Sequence, residues 1–235
     1  MDRLQQLDRF RRSLEGASGR KIILISAGPG MGKSWLLRRF AQEAAARGAS
    51  SCLIDFSDGQ AYDVLTLLRR FRDALGAEQF NRLTAAINEA TSPRLIIGDA
   101  AAGGAAPLDF SGAQAGDITI GDVAGGSIIK DNYFIVQTDN PLLLQAIEDR
   151  VTQVFFESLD DLVARRPALF LFDSYERTSQ EGERWVPNAA DRWIRRELLT
   201  RIAEGRLANS VVVLAGRRLP EFDGAAWSDV VGRLE

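Results

Sequence analysis

The segment Ala27-Gly28-Pro29-Gly30-Met31-Gly32-Lys33-Ser34 fits the pattern of a phosphate-binding loop, with alanine where the strictest form of the motif has glycine. The apolar run at residues 21–26 predicts a short buried strand before it. The run at residues 35–44 predicts a helix after it. A strand, a Gly-rich loop and a helix in this order are the context in which the motif holds phosphate, so the sequence predicts such a loop here.

The residue types of this segment match the chemistry of phosphate binding. Its glycines let the backbone bend with N–H groups pointing inward, and the following helix adds its positive N-terminal end. Lys33 is expected to reach the β- and γ-phosphates, and the Ser34 hydroxyl to bind Mg²⁺. A plain Gly-rich turn is the alternative. The predicted nucleotide-binding residues are Gly28, Pro29, Gly30, Met31, Gly32, Lys33, Ser34 and Trp35.

Composition limits the classes of function. The 235 residues suffice for one large domain, and a net charge of -3 predicts no general binding to nucleic acid. With no histidine, His-based catalysis and His-ligated metal are excluded. The single cysteine, Cys52, excludes an internal disulfide. No apolar run reaches the ~18 residues of a membrane span, and no signal-peptide core precedes the first helix, so a cytoplasmic protein is expected.

The pattern along the chain is that of one α/β domain covering residues 1–235. Apolar spacing predicts helices at about 2–14, 62–75, 77–90, 140–165 and 188–204, and strands at about 51–56, 167–173 and 210–217. A loop and a short helix are expected at 220–235. Residues at about 92–140 are rich in Gly, Ala and Asp, which predicts an insertion formed as a β-hairpin, a small solenoid-like coil or a disordered linker.

The run Leu169-Phe170-Leu171-Phe172-Asp173 is the Walker B form, a buried strand ending in a carboxylate. Asp173 is expected to hold Mg²⁺ together with Ser34. Many ATPases place a second carboxylate directly after this aspartate to orient the attacking water, but this chain has Ser174 there. Glu176 is the nearest candidate for that role, and a surface or helix-capping glutamate is the alternative.

Two further residues lie at the ends of predicted strands, where open α/β sheets bind ligands. Arg217 follows the apolar run at 210–216 and is a candidate for sensing the γ-phosphate. Asp55 lies at or near the end of the strand predicted at 51–56 and is expected to face the metal site or a neighbouring loop, or to cap a loop. The predicted catalytic residues are Lys33, Asp173, Glu176 and Arg217, and the predicted metal ligands are Ser34 and Asp173.

Three segments together resemble the nucleotide-binding core of the STAND class of P-loop ATPases, relatives of the AAA+ proteins. They are residues 27–34, residues 169–177 and the run Val-Val-Val-Leu-Ala-Gly-Arg at 211–217. The resemblance covers the chain apart from the insertion. It implies adenine nucleotides as ligands and an ATP-driven switch that alternates between a closed ADP state and an open, oligomerising ATP state. It also implies helical, winged-helix and sensor modules beyond Glu235.

These observations predict a three-layer α/β/α fold with a mostly parallel sheet, in which the Asp173 strand lies beside the neighbour of the phosphate-loop strand. The expected function is that of a Mg-ATP-binding ATPase with slow hydrolysis, acting as a regulatory switch in signalling or defence. A binding or scaffold module with negligible turnover and an AAA+-like nucleic-acid-associated ATPase are the main alternatives. A small-molecule kinase would need an Arg-rich lid, and a GTPase is disfavoured because the sequence lacks Asn-Lys-x-Asp.

Overall fold

The computed structural model describes residues 3–60, 62–91, 129–130, 133–134, 141–179, 182 and 184–234. Among these residues, five parallel strands form the main sheet of the protein. Its strands are β1 (Ile22–Ser26), β2 (Ser50–Asp55), β5 (Ala168–Asp173), β6 (Ser210–Gly216) and β7 (Val231–Leu234). Their order is β2-β5-β6-β1-β7. The Asp173 strand, β5, therefore pairs with β6, and β6 pairs with the phosphate-loop strand β1, as the sequence predicted.

Helices connect the strands and cover both faces of the sheet. They are α1 (Arg3–Leu14), α2 (Lys33–Ala45), α3 (Val64–Leu75), α4 (Asn81–Thr91), α5 (Pro141–Val163), α6 (Ala189–Trp193), α7 (Thr200–Ala203) and α8 (Ala225–Ser228). Short 3₁₀ turns lie at Ala77–Phe80 and Tyr175–Thr178. The fold is thus α/β with an all-parallel main sheet in the described part of the chain, which is compatible with three α/β/α layers.

The alternation of side chains along each strand divides the core in two. Ile23 and Ile25 of β1 point to one face and join the buried residues of α1 and α2. Ile22 and Leu24 point to the other face and join those of α3, α4, α5 and α6. β5 and β6 are buried along their whole length, as expected for parallel strands covered by helices on both sides.

The structure corrects three of the predictions. The end of the chain contains strand β7 as well as the expected short helix; its sequence Val-Gly-Arg-Leu lacks the alternation that marks a strand, and only its pairing with β1 makes it one. The helix predicted at 188–204 is divided by a π-helical segment, Ile194–Leu199, between α6 and α7. The helix predicted at 77–90 begins as the 3₁₀ turn.

Most of the predicted insertion at 92–140 lies outside the described residues. Within it the structure describes one antiparallel pair, β3 (Ile129–Lys130) with β4 (Tyr133–Phe134). Among the helices that are described, none combines the length and the apolar character needed to cross a membrane.

Helix α1 is attached to helix α2 by ion pairs as well as by apolar contacts. Arg11 donates two hydrogen bonds to the Glu43 carboxylate, at 3.1 and 3.0 Å, and Arg47 donates a third at 2.8 Å. The hydrogen bonds from Arg11, followed by those from Arg47, lower the pKa of Glu43 from 4.5 to about 2. The ionised form of Glu43 is therefore favoured by folding.

This network predicts a pH dependence of stability. A carboxylate whose pKa is lower in the folded chain stabilises it above the unfolded pKa, and this stabilisation is lost as the pH falls through the folded value. The free energy of unfolding, measured in urea, should therefore decrease between pH 4.5 and about 2. Glu43→Gln should flatten this decrease, whereas Glu221→Gln, an exposed control, should leave it unchanged. Equal pH profiles for wild type and Glu43→Gln would contradict the assignment.

Candidate functional site

The predicted phosphate loop connects β1 to α2, and the side chain of Lys33 folds back onto the start of the loop. Gly30 and Gly32 adopt φ angles of 72° and 76°, a left-handed conformation that glycine reaches without strain. The Lys33 amine donates hydrogen bonds to the carbonyl oxygens of Ala27 at 2.7 Å and Gly28 at 2.8 Å. The ammonium group is thereby held against the first two residues of the loop.

The loop lies at the edge of the sheet where the strands have their carboxyl ends. Ser26, the last residue of β1, is level with Gly216, the last residue of β6. The Ala27 amide donates to the Gly216 carbonyl oxygen at 3.2 Å, which attaches the first residue of the loop to β6. Asp173 ends β5, the next strand of the sheet. This edge is the position at which open α/β sheets bind ligands.

Asp173 has the properties of a cation ligand. Its side chain is nearly buried, and its Oδ1 atom accepts a hydrogen bond from the Ser174 amide at 2.9 Å. Its Oδ2 atom accepts none from the residues described here, so one oxygen of a nearly buried carboxylate is left for a ligand. Ser34 is exposed on the first turn of α2, and no direct hydrogen bond joins it to Asp173 in the described structure.

A hydroxyl and one carboxylate fit Mg²⁺, which commonly takes one or two protein ligands and fills its shell with water and phosphate oxygens. No cluster of three or more acidic, Cys or His side chains is found in the described part of the chain. Ser34 and Asp173 thus fit a Mg²⁺ ion that is also bound by phosphate oxygens and water better than an ion bound by protein ligands alone.

Ser174 hydrogen-bonds Asp55, the last residue of the neighbouring strand β2. It has φ 53°, and it is the only non-glycine residue with a positive φ among those described. Burial acts to raise the pKa of Asp55, but hydrogen bonds from Ser57 and Ser174 outweigh it and lower that pKa. Asp55 also accepts a bond from the Ser57 amide at 2.9 Å, which supports the prediction of a loop cap at this residue.

Glu176 and Arg217, predicted separately, contact each other directly. Oε1 of Glu176 accepts a hydrogen bond from Nε of Arg217 at 2.8 Å, and Oε2 accepts one from the Arg217 backbone amide at 3.0 Å. The Glu176 side chain is 15% exposed and is held by these two hydrogen bonds. Burial acts to raise its pKa, yet the hydrogen bonds from Arg217 outweigh burial and lower it. In this arrangement Glu176 is a weak proton acceptor.

A buried polar cluster that the sequence did not reveal fixes the turn that carries Glu176. Asp191, with no exposed surface, accepts hydrogen bonds from the Tyr175 hydroxyl at 2.8 Å and the Trp185 indole at 3.1 Å. Thr178 donates to the Tyr175 carbonyl oxygen at 2.8 Å. In the sequence, Asp191 is one more acidic residue near the start of a helix capped by Asn188, and nothing there indicates the partners it acquires.

The other predicted nucleotide-binding residues lie on the surface of the loop and the helix. Met31 is 63% exposed and Trp35 is 56% exposed, and Pro29 is exposed as well. These side chains are accessible to a ligand at the loop. Comparison with known protein families and with curated proteins gave no match for this chain.

Gly216 leaves the space in which the Glu176 carboxylate lies. A Cβ atom at this position would come within 2.7 Å of Oε2 of Glu176 and within 3.0 Å of the Arg218 carbonyl oxygen. Gly216→Ala should therefore reduce the free energy of unfolding by about 1–3 kcal/mol, measured by urea denaturation. Gly19→Ala, whose nearest contact would be 3.4 Å, serves as the control and should change it little.

A double substitution separates the two causes of this loss. In a Glu176→Ala background the carboxylate clash disappears, and the Arg218 carbonyl oxygen at 3.0 Å and Cδ2 of Leu219 at 3.2 Å remain close. Gly216→Ala should then destabilise less than it does in the wild type, because neighbouring sites are not additive. An equal loss in both backgrounds would show that Glu176 does not occupy the space beside Gly216.

Proposed function

We propose that this chain is a Mg-ATP-binding P-loop ATPase domain that acts as a nucleotide-dependent regulatory switch with slow hydrolysis. The observation that carries the proposal is the loop itself. Two glycines in the left-handed conformation and a lysine whose amine is bonded to the Ala27 and Gly28 carbonyl oxygens lie at the start of a 13-residue helix. Phosphate binds at such helix starts because backbone N–H groups and the helix dipole both favour an anion.

Each predicted residue has a role in this proposal. Lys33 neutralises charge on the phosphates, and Ser34 and Asp173 hold Mg²⁺, which when bound draws charge from the phosphate oxygens. Arg217 contacts the terminal phosphate. Glu176 accepts the proton of the attacking water, since Ser174 has no carboxylate and is turned toward Asp55.

The pairing of Glu176 with Arg217 supports slow turnover, because the pair must separate before Arg217 contacts a terminal phosphate and Glu176 takes a proton. A carboxylate that accepts two hydrogen bonds and faces a guanidinium has a lowered pKa and takes a proton less readily. The same observation favours the second candidate, a nucleotide-dependent binding or scaffold module with negligible turnover. Release of phosphate by purified protein, compared with Glu176→Gln, distinguishes the two.

The switch in this proposal is supported by the resemblance of three motifs to the STAND class. In that class the nucleotide state controls oligomerisation, so a nucleotide-dependent homo-oligomer is the partner that the proposal implies. Measuring the molar mass of the protein in ADP and in a non-hydrolysable ATP analogue by light scattering tests this part separately from binding.

Nucleotide binding is the direct test of the site. Titrations with ATP, ADP and GTP, with and without Mg²⁺, should show binding that Lys33→Ala weakens by tenfold or more, because a hydrogen bond to a charged group contributes about 1.5–3 kcal/mol. Asp173→Asn should remove most of the effect of Mg²⁺. Arg166→Ala, which removes one positive charge at the opposite edge of the sheet, should leave affinity unchanged.

The outcomes lead to different conclusions. Loss of binding in Lys33→Ala and not in Arg166→Ala would support a phosphate site at the loop, and the ratio of ATP to GTP affinity would give the base preference. If the wild-type protein binds none of the three nucleotides, or if Lys33→Ala binds as tightly as the wild type, the proposed function is wrong.

A further inference from the structure

The two hydrogen bonds between Glu176 and Arg217 come from different parts of Arg217. The guanidinium Nε binds Oε1 of Glu176, whereas the backbone amide binds Oε2. A side chain can turn to another partner, but the Arg217 amide belongs to the backbone directly after β6 and does not move with the side chain. The backbone amide of Arg217 therefore holds Glu176 in position, whereas the guanidinium supplies the positive charge that faces it.

We propose that the Arg217 side chain exchanges Glu176 for the terminal phosphate of a bound nucleoside triphosphate, while the Arg217 amide keeps Glu176 in place to act on water. This inference rests on the proposed function, since it requires a nucleotide at the loop. It adds that Arg217 has two roles, since it binds the terminal phosphate and thereby releases Glu176, the proton acceptor. The contact that distinguishes a triphosphate from a diphosphate is then the same contact that permits hydrolysis.

The location of Arg217 favours this role. It directly follows β6, and its carbonyl oxygen lies 3.5 Å from the Ser26 hydroxyl, next to the start of the loop. The preceding residue, Gly216, accepts the hydrogen bond of the Ala27 amide. The Arg217 side chain is 54% exposed, and in the described structure its Nη atoms donate no hydrogen bond. The guanidinium thus retains donors for an anion while one edge binds Glu176.

The surroundings of Glu176 keep it in position when the side chain of Arg217 turns away. The amide of Arg217 still donates to Oε2, and the missing side chain at Gly216 gives that oxygen its space. The turn that carries Glu176 is anchored by the bond from Tyr175 to the buried Asp191. Glu176 would then lose the guanidinium that faces it but stay bound to the Arg217 amide. A carboxylate without a facing positive charge accepts protons more readily.

The reaction balances with these residues. A water molecule gives a proton to Oε1 of Glu176 while its oxygen bonds to the terminal phosphorus and the bond from phosphorus to the bridging oxygen breaks. The products are the nucleoside diphosphate and inorganic phosphate, and Glu176 returns the proton to solvent. With the diphosphate, Arg217 has no terminal phosphate to bind and returns to Glu176.

Equilibrium binding of AMP-PNP and ADP to four proteins tests the exchange. Arg217→Gln keeps the backbone amide but removes the charge, so it should weaken AMP-PNP binding about tenfold. Glu176→Gln frees the guanidinium from its competing carboxylate, so it should strengthen AMP-PNP binding about threefold or more. Both should change ADP affinity less than about threefold. Arg166→Gln, an exposed control at the opposite edge of the sheet, should alter neither affinity.

A purely structural pair would give a different pattern. Both substitutions would then lower the affinity for AMP-PNP and ADP together, and that result would overturn the proposal. It would also be overturned if Glu176→Gln bound AMP-PNP no more tightly than wild type, or hydrolysed ATP as fast. Failure of the underlying function is distinguishable, because the wild type would then bind neither nucleotide. Circular dichroism melting of each variant identifies any loss of affinity that comes from unfolding.

Discussion

The parallel pairing of β6 with β1 on one side and β5 on the other is the constraint on which the candidate site depends. All seven residues of β6 are buried, so this strand is held by both of its neighbours and by both layers of helices. Because parallel strands end at the same edge, the pairing gathers the predicted phosphate loop, Asp173 and Arg217 from distant parts of the sequence. The bond from the Ala27 amide to Gly216 extends the ladder of β1 and β6 into the loop.

The sequence was sufficient to predict the strands and helices that have a regular apolar pattern of their own. The apolar runs of β1, β5 and β6 predicted buried strands, and the regular apolar spacing of α1, α3 and α5 predicted helices within a few residues of their observed bounds. Strand β7 was missed because it becomes a strand only through the backbone partner that β1 offers. The π-helical segment was missed because a helix with one extra residue in a turn has the same apolar composition as a regular one.

The candidate site also has a part that local sequence predicts and a part that depends on contacts between distant residues. The loop, Lys33 and Asp173 were predictable because motif and flanking elements lie together in the sequence. The contact between Glu176 and Arg217 was not, since it joins residues about 40 positions apart and depends on the space at Gly216. Ser174, which stands in place of the usual second carboxylate, has a left-handed φ and hydrogen-bonds Asp55 of β2. Glu176, the next acidic residue, lies in the following 3₁₀ turn and contacts Arg217 after β6.

The order of the strands also has a consequence for how the chain folds. Ile22 of β1 is level with Val212 of β6 and with Val231 of β7, about 190 and 209 residues later. Pairings between residues so far apart close large loops of chain, and they form slowly compared with helices and hairpins. On a ribosome, β1 is made before both of its sheet partners. The segment around Lys33 therefore receives the support of these strands only after β6 and β7 have been synthesised.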